Sequence, residues 1–145
     1  MLEDESPSTQ TQLGLVLLAL GKYEDALTSL NRAIELDPKF YADYGNRGIA
    51  HSRIGETDLA LADYDQEIEL NPDYVLAYSS RGSAYLLRGE LELAMADLDR
   101  TIELDPESAS AYVNRGVVLA SAEELTLAVD DYTKAIHADP TSLNA

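Results

Sequence analysis

Apolar and small residues recur at intervals of three and four in paired segments along the chain. This spacing predicts amphipathic helices, because the residues of a strand would alternate every second position. Gly55 separates the two segments of one pair, and Gly21 and Gly89 occupy the same place in two others. We therefore expect each of these pairs to be two helices joined by a turn. In the pair around Gly55 the residues on the periodic faces are Tyr44, Arg47, Gly48 and His51 over residues 42–54, and Leu59, Ala60, Tyr64, Glu67 and Ile68 over residues 57–70.

The paired segments repeat every 34 residues. The dipeptide Arg-Gly begins at Arg47, Arg81 and Arg115. A proline recurs at the end of each pair and predicts where the second helix stops, since the residue before proline disfavours helix. Three sets of residues keep this period: Pro38, Pro72, Pro106 and Pro140; Ala26, Ala60, Ala94 and Ala128; and Leu30, Tyr64, Leu98 and Tyr132.

The period divides nearly the whole chain into four repeats. A unit of this length cannot bury its apolar face alone, so we expect the repeats to stack as one domain. The predicted organisation is an acidic leader over residues 1–6, repeats at 7–40, 41–74, 75–108 and 109–142 within a domain spanning 7–142, and a tail at 143–145.

Two further columns of residues identify a family. Tyr44, Tyr78 and Tyr112 share the fourth position of their repeats, and Gly14, Gly48, Gly82 and Gly116 share the eighth. With the recurring alanines and prolines, this pattern resembles the tetratricopeptide repeat (TPR). The resemblance implies an all-α solenoid of four helix-turn-helix units in a right-handed superhelix, with the first helices lining the concave face. It also implies a binding scaffold rather than an enzyme.

The two terminal repeats depart from this pattern. Gln10 and Leu13 replace the tyrosine and arginine in the first repeat, and Glu123 replaces the turn glycine in the last, where we expect a different turn over 121–123. A terminal repeat normally needs a polar outer face. We expect the last helix of the fourth repeat to expose an apolar flank. Either the repeats continue in a longer protein and cover this flank, or it packs on another copy and gives a homo-oligomer through the C-terminal helix. Its residues are Leu127, Ala128, Ala135 and Ile136.

An arginine and an aspartate occur together in three repeats and are both absent from the first. Arg47, Arg81 and Arg115 each precede an aspartate by 16 residues, whereas the first repeat has Leu13 and Ser29. This joint occurrence predicts an ion pair between the two helices of a repeat, with a direct role in ligand binding as the alternative. The aspartates are Asp63, Asp97 and Asp131.

The sixth position carries the candidate binding residues. It faces the concave groove in the TPR superhelix, and a carboxamide there offers both a donor and an acceptor to a peptide backbone. The arrangement is similar to the asparagine ladder of the O-GlcNAc transferase TPRs, although asparagine fills only two of its four positions; the alternative is solvated polar residues. Helical spacing adds neighbours on the same face. The predicted peptide-binding residues are therefore Gln12, Asn46, Ser80 and Asn114 at the sixth position, with Ile49, Arg53, Leu76, Leu86 and Val117 beside them.

That face does not resemble TPRs that grip acidic chaperone tails, which carry Lys and Arg on the inner surface. Arg53 is the cation available, and Thr11, Leu15, Leu76 and Ser80 stand where clamp residues would be expected. The net charge of −17 argues against binding nucleic acid or anionic lipid and leaves a basic partner open. We expect the acidic surplus to be a solvated surface on second helices and turns, including Glu56, Asp65, Glu67 and Glu69.

Candidate chemistry is sparse. The sequence has no cysteine, which removes disulfides and thiolate ligands. His51 takes the place of an aromatic residue between helices, so we expect a core imidazole, and His137 has no partner at suitable spacing. No phosphate loop, nucleophile elbow or calcium loop is present, and we expect neither catalysis nor a cofactor or metal.

The apolar run from Leu13 to Leu20 is eight residues long, against roughly 20 for a membrane span. The leader before it is acidic, unlike that of a secretory signal. We therefore expect a buried helix and a cytoplasmic protein.

The leading functional prediction is a non-enzymatic scaffold that binds a peptide segment of a partner in the concave groove. The alternatives are an assembly module that self-associates through its uncapped ends, and a regulatory fragment of a larger protein.

Overall fold

A computed structural model describes residues 6–139, and over them the protein has eight helices and no strand. These residues divide into two compact halves, one up to residue 77 and one from residue 78, which we describe separately. The all-α prediction is confirmed, whereas Pro140 and most of the predicted leader and tail lie outside the described residues. The helices are α1 (Pro7–Ala19), α2 (Tyr23–Leu36), α3 (Tyr41–Arg53), α4 (Thr57–Leu70), α5 (Val75–Arg88), α6 (Leu91–Leu104), α7 (Ala109–Ser121) and α8 (Leu125–Ala138).

The turns within the helix pairs share one left-handed residue. Gly21, Gly55 and Gly89 have φ angles of 71°, 85° and 75°, a region that glycine adopts without steric cost. Glu123 has a φ of 63° at the equivalent place. The expected different turn over 121–123 is therefore wrong at this residue, which adopts the left-handed conformation at a cost of about 1 kcal/mol.

Glycine at the eighth position lets the two helices of a repeat approach closely. A Cβ at Gly48 would lie 2.7 Å from the ring of Tyr64, and one at Gly116 would lie 2.7 Å from the ring of Tyr132. A methyl group therefore cannot enter without displacing an aromatic ring.

The predicted Arg–Asp pairs are confirmed in three repeats. Arg47 donates from Nε and Nη2 to the two oxygens of Asp63, at 2.9 and 2.6 Å. Arg81 binds Asp97 at 2.8 and 2.7 Å, and Arg115 binds Asp131 at 2.7 and 2.9 Å, in the same two-pronged geometry. All three aspartates are buried. Each pair therefore joins the first helix of a repeat to the second with strong, charge-assisted hydrogen bonds.

Arg47 and Arg115 also reach the preceding repeat. In the N-terminal half, Arg47 Nη1 donates to Asn31 Oδ1 of α2 at 2.8 Å. In the C-terminal half, Arg115 Nη1 donates to Asp99 Oδ1 of α6 at 2.7 Å. A single guanidinium thus ties three helices together, a role that we did not predict from the sequence.

Tyrosines at the fourth position hold the loops between repeats. Tyr44 donates its hydroxyl hydrogen to the carbonyl oxygen of Pro38, at 3.1 Å, and Tyr112 makes the same bond to Pro106, at 3.1 Å. These bonds fix the path of the chain as it enters α3 and α7.

The exposed apolar surfaces differ in part from those predicted. Leu127 and Ile136 of α8 are exposed as expected, but Ala128 and Ala135 are buried because small side chains allow close packing. The run 13–20 lies within α1 and the turn after it, yet Leu13, Val16 and Leu20 are exposed, so its expected burial is wrong. Among the helices over residues 6–139, none combines the length and apolar character needed to cross a bilayer.

Candidate peptide-binding face

In the N-terminal half, the start of α1 lines a groove of about 550 Å³. Gln12 is exposed beside it, at the first of the predicted binding positions. Thr11 Oγ1 lies 3.0 Å from the carbonyl oxygen of Pro7 and 3.0 Å from Asp43 Oδ2, which ties α1 to α3. The groove is lined by Ser6, Pro7, Ser8, Thr11, Gln12, Leu15, Asp37 and Phe40.

Four more of the predicted binding residues lie on α3 and at the start of α5. Asn46 is half-buried on α3, whereas Ile49 and Arg53 of the same helix are exposed. Leu76, on the first turn of α5, is also exposed. The α3 residues therefore combine an amide, an aliphatic side chain and a cation in the order that the sequence predicts.

In the C-terminal half, the predicted face contains an oriented amide. Asn114 Nδ2 donates to Ser83 Oγ at 3.0 Å, and Ser83 Oγ in turn donates to the carbonyl oxygen of Ser79 at 2.8 Å. Ser80 is half-buried, and Val117, three residues after Asn114, is exposed. The bond to Ser83 uses one of the two Nδ2 hydrogens and holds the Asn114 amide in one orientation.

Leu86 was predicted to belong to this face, but the structure places it differently. It is half-buried and packs against the cluster formed by Ala94, Leu98, Ala111 and Val118. Most of its apolar surface therefore contributes to the core of the C-terminal half. Of the remaining predicted residues, three are half-buried (Asn46, Ser80 and Asn114) and five are exposed (Gln12, Ile49, Arg53, Leu76 and Val117).

Two carboxyl groups of the N-terminal half are buried, which we did not predict from the sequence. Asp43 is fully buried, and its Oδ1 has no hydrogen-bond partner among the described residues. Burial raises the pKa of Asp43, and the nearby charge of Asp37 raises it further, against the hydrogen bond from Thr11. The interface between α1 and α3 thus contains a carboxyl that is costly to ionise.

Glu67 is the second of these groups and corrects our assignment of this residue to the solvated acidic surface. It is buried, and burial together with the negative charge of Asp63 raises its pKa to about 7. Gly45 makes room for it, because a Cβ on Gly45 would overlap the Glu67 carboxyl. Comparison of the repeats could have revealed it: the same position holds Ala33, Thr101 and Ala135.

His51 confirms the expected packing between helices. Its side chain is largely buried between α3 and α4, with Nδ1 2.7 Å from Glu56 Oε2 and Nε2 3.9 Å from Asp63 Oδ2. Over residues 6–139, His, Asp and Glu side chains form no group of three or more suited to a metal ion.

The rest of the predicted acidic surface lies largely in solvent. Glu56, Asp65 and Glu69 are exposed on or beside α4. Each such exposed charge alone contributes little to stability.

Comparison with known proteins identifies the repeat family. The family described as "TPR repeat" matches residues 14–55 and 82–122, together more than half of the chain, and "Tetratricopeptide repeat" matches residues 109–142. No curated protein sequence matches the chain.

Solved structures share the fold over most of the chain. "Crystal structure of MamA" is 26% identical, covers 99% of this chain and 84% of that one, and has a TM-score of 0.88. "First TPR of Spaghetti (RPAP3) bound to HSP90 peptide SRMEEVD" is 26% identical, covers 83% and 96%, and has a TM-score of 0.80. The TPR protein TTC0263 of Thermus thermophilus is 24% identical, covers 94% of this chain and 76% of that one, and has a TM-score of 0.82. At this identity the likeness is one of fold.

The 34-residue period, the eight paired helices over the described residues and the matches to family and structures agree. The chain belongs to the tetratricopeptide repeat family.

Proposed function

We propose that the protein is a non-enzymatic scaffold that binds an extended peptide segment of a partner on the first helices of its repeats. The observation that carries this proposal is the Asn114 amide, which Ser83 orients beside the exposed Val117. Its carbonyl oxygen is an acceptor for a backbone N–H, and Val117 is an apolar contact next to it. An amide already held in place loses little conformational entropy when a ligand binds.

The N-terminal half offers the same combination on α3, where Asn46 is accompanied by Ile49 and Arg53. The groove beside Gln12 adds a concave apolar surface within that half. Amides with aliphatic neighbours suit a peptide backbone and small apolar side chains better than a highly charged ligand.

The partner segment is expected to be neutral or basic. The first TPR of RPAP3 is bound to the peptide SRMEEVD, which carries three acidic side chains. This chain has a net charge of −17, and Arg53 is the one cation among its predicted binding residues. A strongly acidic tail would therefore meet repulsion, whereas a basic segment would be attracted and would bind more weakly at high salt.

The test is selection of 12-residue peptides from a random display library on the intact chain, followed by titration of the selected peptides. We expect Asn114→Ala to weaken binding at least fivefold while leaving the helical circular dichroism unchanged. Gln66→Ala removes a carboxamide from the second helix α4 and is the matched control. Undiminished affinity in an Asn46→Ala/Asn114→Ala variant would exclude these amides as the binding groups.

Self-association through the repeat ends is a second candidate function. The exposed apolar residues Leu127, Val129 and Ile136 of α8 favour it, because a cluster of exposed apolar side chains is typical of an interaction surface.

A further inference from the structure

We propose that α8 of one copy docks on α1 of another, so that the protein assembles head to tail. The proposal rests on the second candidate function, self-association, and names the two surfaces that meet. We call them the α8 end face (Val129, Thr133 and Ile136) and the α1 end face (Thr9, Leu13 and Val16).

The internal contact between α6 and α7 shows what such a surface packs against. Met95 and Ile102 of α6 pack on a cluster that includes Ala111 and Val118 of α7. Within the C-terminal half, a second helix is therefore covered by the first helix of the next repeat.

The α8 end face repeats the covered face of α6. Val129 and Ile136 lie 34 residues after Met95 and Ile102. They are 62% and 41% exposed, whereas their counterparts in α6 are half-buried. Apolar positions that are half-buried in α6 are thus largely exposed on α8.

The α1 end face repeats the covering face of α7. Thr9 and Val16 lie 102 residues, or three periods, before Ala111 and Val118. Both counterparts in α7 are buried, but Val16 is 56% exposed. Helix α1 also contains no charged residue, in a chain whose net charge is −17. An uncharged apolar helix lowers the desolvation cost of docking.

The polar contacts of the internal interface have been lost from both end faces. Inside the C-terminal half, Asp99 of α6 accepts a hydrogen bond from Arg115 of α7. The corresponding residues are Thr133 on α8 and Leu13 on α1. At this pair of positions docking would therefore bury no unpaired charge, which would otherwise be strongly unfavourable.

Thr133 is suited to this environment. Its hydroxyl donates to the carbonyl oxygen of Val129 within α8, at 2.8 Å. The donor is satisfied by the backbone of its own helix, so a facing leucine deprives it of no hydrogen bond.

The contact is heterologous, because two different surfaces meet, and a mixing experiment tests this property. Val129→Lys/Ile136→Lys blocks the α8 end face, and Leu13→Lys/Val16→Lys blocks the α1 end face. These residues are exposed, so both variants are expected to fold, which circular dichroism checks. Analytical ultracentrifugation should find the unmodified chain in concentration-dependent oligomers and each blocked variant weakened at least tenfold. An equimolar mixture of the two should form a heterodimer, since each variant retains the surface that the other lacks. Leu87→Lys changes an exposed leucine outside both faces and should assemble like the unmodified chain.

The outcomes separate this proposal from its premise. A chain that stays monomeric up to 0.5 mM at 0.5 M NaCl overturns both self-association and the docking surfaces. Two other results overturn the docking of α8 on α1 but leave self-association intact. One is that oligomers persist in both blocked variants, and the other is that the α1-blocked variant still pairs with itself through α8. Higher salt should strengthen assembly by screening the repulsion between acidic copies. Binding of a basic peptide should weaken under the same change, so the two functions respond in opposite directions.

Discussion

The helix pairs α3–α4 and α7–α8 share a framework and differ in what they bury. Arg47–Asp63 and Arg115–Asp131 close the two pairs in the same geometry, and Gly48 and Gly116 each admit a tyrosine ring. The pairs differ in charge at two buried positions. The α3–α4 pair contains Asp43 and Glu67, where the α7–α8 pair contains Ala111 and Ala135.

This contrast shows that the repeat specifies the backbone more strictly than the character of the core. The glycine and the ion pair set how closely the helices approach, and they tolerate either a methyl group or a carboxyl nearby. A buried alanine is insensitive to pH, whereas a buried carboxyl makes stability depend on its protonation. At these two positions, the same architecture therefore makes the stability of the α3–α4 pair depend on pH but does not do so for the α7–α8 pair.

The largest expected effect comes from breaking the ion pair common to both helix pairs. Asp63→Ala and Asp131→Ala should each lower the free energy of unfolding by about 3 kcal/mol, because a largely buried guanidinium loses its partner. Urea denaturation followed by circular dichroism measures this. The double variant Arg47→Ala/Asp63→Ala should cost no more than either single change. Additive losses would contradict a pairwise interaction.

The second expected effect sharpens the contrast between the two pairs. Glu67→Gln should remove a decrease in stability of about 2 kcal/mol between pH 5 and pH 8. The folded-state pKa is raised from 4.5 to about 7, so the folded protein holds a proton that the unfolded chain has released in this window. The contribution of Glu67 to stability is therefore largest at low pH and is lost as the pH rises through about 7.

The measurement is the free energy of unfolding of the variant minus that of the unmodified chain, taken across this pH range. The contributions of the other carboxyl groups are common to both proteins and cancel in this difference. Glu69→Gln removes the same charge from an exposed position and is the control. A pH profile for Glu67→Gln that parallels the unmodified one would show that this carboxyl is not responsible.

A smaller effect is expected from filling the space at the shared glycine. Gly48→Ala and Gly116→Ala should each cost about 1 kcal/mol, since displacement of a tyrosine ring outweighs the gain in helix propensity. Gly82→Ala meets its nearest side-chain atom at 3.2 Å and should cost less. Thermal melts of the three variants test this order, and equal changes at all three would contradict the role of the ring.

The smallest effect concerns an exposed charge that distinguishes the two pairs. Lys134 lies 3.7 Å from Asp131, and the equivalent residue in α4 is Gln66. Lys134→Gln should change the free energy of unfolding by less than about 0.5 kcal/mol, because the lysine is largely in solvent. A loss approaching that of Asp131→Ala, measured by the same urea titration, would mean that Lys134 and not Arg115 is the main partner of Asp131.

The sequence was sufficient to predict the helix pairs and the ion pairs, because both recur at fixed intervals. The joint absence of arginine and aspartate from the first repeat indicated that Arg47 and Asp63 interact. Periodicity could not predict the second contact of Arg47 with Asn31, since that position varies between asparagine, aspartate and threonine. A comparison of repeats shows which positions differ in residue type, but it does not show which residues surround those positions.

The same reason explains the error at Glu67 and the incomplete description of the binding face. Glutamate is usually found on exposed surfaces. The small residues at this position in the other repeats hint at burial, but the close packing of Gly45 against the Glu67 carboxyl is seen in the structure alone. The first-helix positions of Asn114 and Leu86 followed from the family, but the hydrogen bond to Ser83 and the core contact of Leu86 depend on how neighbouring helices approach. Peptide binding at these residues stays a prediction.

The left-handed turn at Glu123 has a consequence for how the protein is degraded. Local opening of the α7–α8 connection releases backbone strain, whereas opening at Gly21, Gly55 or Gly89 releases none. Amide hydrogens around residues 122–124 should therefore exchange with deuterium earlier than those of the other three connections. A glutamate-specific protease should cut there first, since Glu123 and Glu124 are both accessible. Turnover of the folded protein would then begin by detaching its last described helix.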